Sequence, residues 1–104
     1  MNVSPPEFPY PLPPRPTERF DLDGIRHSTR TFSERQWAIL AWVGHGATNG
    51  EIALVCRVSV KTIEAEMTQI LRALAIGSRI DAAVVWTLLH DEWLLRQTGA
   101  GPRN

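Results

Sequence analysis

From Phe32 onward, apolar residues recur at helical intervals, and each apolar stretch follows a residue suited to capping a helix. Ser33 stands three residues before Gln36, so hydroxyl and amide can satisfy each other's backbone N–H groups, with Phe32 and Trp37 at hydrophobic-staple spacing. This predicts a first helix over about 34–44, ended by Gly44 and Gly46. Thr48 and Glu51 form a second capping box, opening a short helix through about Cys56. Ser59 caps a third, with Val58 and Ile63 as its staple. After Gly77, Ser78 and Asp81 start a fourth over about 79–89.

Only two or three residues join the second and third helices, which forces a sharp crossing, the signature of a helix-turn-helix. On a helical wheel, Val60, Ile63, Met67, Ile70, Leu71 and Leu74 of the third helix share one face, expected to be buried. Lys61, Ala65, Thr68 and Arg72 centre the opposite face, with Thr62 and Gln69 beside them and Glu64 and Glu66 on its flanks. The fourth helix, IDAAVVWTLL, is apolar almost all round, whereas one small core needs a single stripe of it. With Ile80, Val84 and Leu88 taken as core, Ala82, Val85, Trp86 and Leu89, joined by Trp93, remain for another surface. Its expected occupant is a second subunit in a two-fold homodimer, with the amino-terminal arm or an unrelated protein as alternatives.

Before residue 32 the pattern is different. Seven of the eight prolines lie in PPEFPYPLPPRP, residues 5–16, which predicts an extended polyproline-like arm. Pro6-x-x-Pro9 and Pro11-x-x-Pro14 have the spacing of ligands for aromatic grooves, while Phe8, Tyr10 and Leu12 alternate as if to pack on the domain itself. Asp23-Gly24 reads as a turn between short apolar segments, so 17–31 is expected to be loop or a small hairpin. The predicted organisation is an arm and loop at 1–31, a helical domain at 32–95 and a flexible tail at 96–104.

Composition narrows the classes. The chain has 104 residues, 43% of them apolar, and Cys56 is its one cysteine, which suits one small intracellular domain without disulfides. The fourth helix's apolar run is about half the roughly 20 residues of a membrane span, and no secretory leader is recognisable, so a cytoplasmic location is expected. Net charge is zero, and residues 32–95 carry five Lys or Arg against seven Asp or Glu, unlike most nucleic-acid binders. His27, His45 and His90 lack ligand spacing with Cys56, and His90-Asp91-Glu92 has no accompanying nucleophile. No metal, no cofactor and no enzymatic activity are expected.

The segments GATNGEIA at 46–53, VSVKTIE at 58–64, ILRAL at 70–74 and SR at 78–79 resemble the LuxR/GerE-type domain of bacterial transcription regulators. The resemblance covers about residues 32–95. It implies an all-α, four-helix bundle whose third helix enters the DNA major groove and whose fourth often mediates dimerisation. Carried onto this chain, it implies phosphate contacts from Thr48, Asn49, Ser59, Lys61 and Thr62, and base contacts from Glu64, Ala65 and Thr68, with Gln69 beside them. Arg72 and Arg79 would hold the DNA backbone. The chain departs from the family pattern at Glu64, where Lys is usual, and at Glu66, where His is frequent. A carboxylate repels phosphate, yet it can accept a hydrogen bond from cytosine N4. Two readings follow: a small stand-alone regulator that binds double-stranded DNA without a sensing domain, or an interaction protein that uses the acidic third and apolar fourth helices against another protein.

Overall fold

The computed structural model describes residues 9–98, and all of their regular structure is helical. The four predicted helices are present as α3 (Glu34–Gly44), α4 (Asn49–Cys56), α5 (Val60–Leu74) and α6 (Arg79–Thr98). Their caps form as the spacing predicts. Ser33 Oγ accepts from Gln36 N at 3.1 Å while Gln36 Oε1 accepts from Ser33 N at 2.9 Å. Thr48 and Glu51 make the same reciprocal pair at 3.2 and 2.8 Å. Ser59 and Ser78 accept from Thr62 N and Asp81 N, both at 3.1 Å. Each such cap contributes about 1 kcal/mol.

The segment read as loop or hairpin is helical instead. Pro16–Arg19 forms α1, Leu22–Ser28 forms α2, and a 3-10 turn spans Thr29–Thr31. Asp21 is a helix cap here: its Oδ1 accepts from Gly24 N at 3.1 Å, placing Gly24 in the first turn of α2. Leu22 and Ile25 then face the core, Ile25 fully buried and Leu22 packed against it. Two turns are too short for apolar periodicity to show in the sequence. The first half of Pro6-x-x-Pro9, with Phe8, lies outside the described residues, as does the tail beyond Thr98, while Tyr10 and Leu12 are exposed.

The core is built from Ile39, Leu40 and Val43 of α3, Ile52 and Ala53 of α4, Ile63, Met67, Ile70 and Leu74 of α5, and Ala82, Val85 and Leu89 of α6. A fully buried aliphatic side chain of this kind contributes about 1.5–3 kcal/mol. Two expectations fail at this level. Val60, assigned to the buried face of α5, is 43% exposed, because it opens the helix beyond the edge of the core. In α6 the stripes are interchanged: Ala82, Val85 and Leu89, expected on the surface, are buried to 1% exposure or less, whereas Ile80, expected in the core, is 76% exposed.

Trp86 and Trp93 are not a free contact surface either. Their rings close on each other at 5.5 Å and on Trp37 at 6.2 and 6.1 Å, and Phe32 meets Trp37 edge-on at 5.6 Å. Gly44 makes room for this cluster, since a Cβ there would sit 2.1 Å from Trp86 Cδ1. Trp93 also explains why α6 outruns its predicted end at residue 89. The ring extends the Ala82, Val85, Trp86, Leu89 stripe by one more turn, past the polar run His90-Asp91-Glu92.

Polar side chains fix the rotation of α6 about its own axis. Arg19 Nη2 reaches Asp81 Oδ1 at 2.6 Å, and Arg26 grips Glu92 through Nε and Nη2 at 3.0 Å, so α1 and α2 are strapped along one flank. The Glu92 and Asp23 carboxylates raise the Arg26 pKa above its ordinary value, Glu92 by hydrogen bonding first.

Candidate nucleic-acid interface

The α4–α5 corner is closed by backbone chemistry. Arg57 adopts a left-handed conformation (φ 59°), and Val58 N donates back to Ala53 O at 3.1 Å, stopping α4 within a turn. Ser59 then caps α5, and its hydroxyl also lies 3.0 Å from that of Thr62. Half-buried Val58 packs on the core and pins the corner. With Ile63, Met67, Ile70 and Leu74 buried, α5 turns Lys61, Glu64, Ala65, Thr68, Gln69 and Arg72 outward. Thr62 is half-buried beside them. Thr68 Oγ1 donates to the Glu64 carbonyl at 3.1 Å, which orients its methyl and leaves the hydroxyl's acceptor side available.

Helix α2 does not cover this strip. It meets α5 at the far end, where Ala73, Leu74 and Ala75 line a shallow cleft with Phe20 and Ile25.

The two glutamates have different roles. Glu64 is exposed in the strip. Glu66 points back toward α3, where Oε2 accepts from Arg35 Nε at 3.0 Å and Oε1 from Gln36 Nε2 at 3.3 Å; its side chain is only 13% exposed. Gln36 thus links the cap of α3 to the middle of α5, and Arg35 offsets the charge that composition would assign to the outer face. Nothing local in the sequence announces a pair 31 residues apart.

Arg79 is likewise diverted inward. It bridges from the first turn of α6 to the start of α4, donating through Nη1 to Asn49 Oδ1 at 2.7 Å and through Nη2 to the Ala47 carbonyl. The resemblance implied that Arg79 and Asn49 both touch DNA phosphates; the fold joins them to each other, with the Asn49 carbonyl oxygen occupied and its NH2 group left as the donor. Thr48, the α4 cap, is exposed next to them. At the same end, the Thr48 backbone N–H, then its hydroxyl, hold the Glu51 carboxyl below its ordinary pKa. Arg57, exposed at the corner, is a cation that motif matching passed over. Its signal was positional: it occupies the turn of the helix-turn-helix.

Among the described residues, no three His, Cys, Asp or Glu side chains gather as a metal site, and no single helix is long and apolar enough to cross a membrane. A short helix, a tight corner and a second helix with an open polar strip define a helix-turn-helix module. The chain belongs to the luxR family of bacterial regulatory proteins, whose GerE profile matches residues 30–86. This is a family of DNA-binding transcription regulators, and its matched domain is a regulatory one. No curated protein and no solved structure matches the chain.

Proposed function

We propose that the chain regulates transcription by inserting α5 into the major groove of double-stranded DNA. The observation that carries this reading is the open Lys61-to-Arg72 strip, from which Glu66 has been withdrawn into a brace with Arg35. Lys61, Arg57 and Arg72 approach phosphates, helped by the Ser59 and Thr62 hydroxyls and by Thr48 and the Asn49 amide at the start of α4. Glu64, Ala65, Thr68 and Gln69 face base edges, Glu64 accepting from cytosine N4 and Ala65 meeting a thymine methyl. Arg79 acts behind this surface, by orienting Asn49. Two copies pair through the outer stripe of α6 that carries Ile80, Val84 and Leu88, the stripe left over once Ala82, Val85 and Leu89 are committed to the core.

Fluorescence anisotropy with a pool of labelled duplexes, at low and then raised salt, tests the reading. Three cations at phosphates give a log–log salt slope of about −3 per subunit, and Lys61→Gln reduces it by about 1. Glu64→Lys strengthens binding across the pool. A titration without salt dependence, or one that Glu64→Lys leaves unchanged, rules out this docking.

A further inference from the structure

The basic side chains of the described residues fall into two groups. Arg15, Arg19, Arg26 and Arg35 are paired with carboxylates, Arg79 with Asn49, and the Arg96 guanidinium lies over the Trp37 ring at 5.8 Å. Arg30, Arg57, Lys61 and Arg72 are exposed instead, and their side chains make no ion pair or hydrogen bond within the chain. Three of these unpaired cations belong to the α4–α5 unit and are used in the docking proposed above. The other, Arg30, lies outside that unit, in the 3-10 turn between α2 and α3.

Two anchors place that turn beside α5. Ser28, just before it, shares a cleft with Ala73, and Arg35 and Gln36, just after it, hold Glu66. Glu66 and Ala73 are seven residues apart, so they lie on one edge of α5, with Gln69 between them. That edge borders the outward strip. The turn spanning the two anchors therefore forms a wall along the Gln69 side of the helix. It is a firm wall: Thr29 is buried and its hydroxyl donates to the Arg26 carbonyl at 3.1 Å, while Phe32 N donates to the Thr29 carbonyl at 3.1 Å. Neighbouring carboxylates are already engaged, Glu66 by Arg35, and Asp23 and Glu92 by Arg26. A helix about 10–12 Å across fills a major groove about 12 Å wide, so an element standing beside it meets a sugar-phosphate ridge. A guanidinium suits that place, because its fork donates two parallel hydrogen bonds to one phosphate. We infer that Arg30 binds a backbone phosphate beside the Gln69 edge of α5, extending the DNA footprint from the helix-turn-helix onto the turn between α2 and α3. This inference rests on the docking of α5 proposed above.

The salt-dependent duplex titration of the full chain tests it through Arg30→Gln, compared with Lys61→Gln and with the double variant. A fourth phosphate contact makes the wild-type log–log slope steeper by about 1 than the three cations above supply. Arg30→Gln should remove about 1 from that slope, and the double variant about 2. It should also weaken every duplex in the pool by a similar factor, about fivefold at about 0.1 M salt, with an unchanged far-ultraviolet circular dichroism spectrum. Arg30→Lys, which keeps the charge and loses the fork, should retain the slope. A wild-type slope in Arg30→Gln, alongside a reduced one in Lys61→Gln, overturns the inference and leaves the docking of α5 standing. Arg30→Gln that re-ranks the duplexes assigns the side chain to base edges, which also overturns it. Slopes unchanged in both single variants mean that the docking itself fails, and the inference falls with it.

Discussion

Helices α5 and α6 pack into the same core, yet only one of them reveals in sequence which side faces inward. In α5 a single apolar stripe opposes a polar one, so burying Ile63, Met67, Ile70 and Leu74 fixes where Lys61 and Arg72 must point. In α6 both stripes are apolar, and burial alone does not choose between them. The choice falls to Arg79, Asp81 and Glu92, polar side chains flanking the Ala82, Val85, Leu89 stripe, each held by a partner elsewhere in the fold. Hydrophobic pattern sets the phase of an amphipathic helix, whereas long-range polar contacts set it for a uniformly apolar one.

Substitutions can break this comparison directly. The largest effect is expected at Leu89→Ala, which removes a side chain 1% exposed and should cost about 2–5 kcal/mol in urea unfolding. Ile80→Ala, the position that pattern alone favours for the core, should change stability by no more than about 0.5 kcal/mol. Equal losses at the two positions would show that the stripes have been assigned wrongly.

Gly44→Ala comes next. Its Cβ collides with a ring wedged among other rings, so overpacking of about 1–3 kcal/mol and a shifted tryptophan emission are expected. An unchanged spectrum would mean that Trp86 rests elsewhere.

The polar side of α5 sharpens the contrast further. Glu66→Ala should cost about 1 kcal/mol after solvent screening at the half-exposed Arg35 is allowed for, whereas Glu64→Ala should be close to neutral for stability. Thermal melts of the two variants distinguish a brace from a surface charge. The smallest expected effect is pH-dependent. The Glu51 carboxyl is held below its ordinary value of 4.5 by the Thr48 backbone N–H. Its contribution is therefore present above that pH and lost as pH falls through the lower folded value. Glu51→Gln should flatten that part of the acid unfolding curve while keeping the cap.

The caps were legible because they are local: Ser33 with Gln36, Thr48 with Glu51 and Ser59 with Thr62 each lie three residues apart. The outward strip of α5 was legible because one stripe of that helix is polar. What was hidden depends on distance along the chain or on brevity. Glu66 is separated from Arg35 by 31 residues and Arg79 from Asn49 by 30, so neither pairing leaves a spacing signature. Helix α2 is seven residues long, and its Asp23-Gly24 has the composition of a turn. The candidate site was therefore readable in outline, while the residues that hold it in place were not.

The Arg35–Glu66 contact has an evolutionary consequence. Replacing Arg35 alone leaves the mostly buried Glu66 carboxylate without its cation at the boundary between α3 and α5, so a change at position 35 should be accompanied by one at 66. Divergence at these two places is expected to be inherited in tandem.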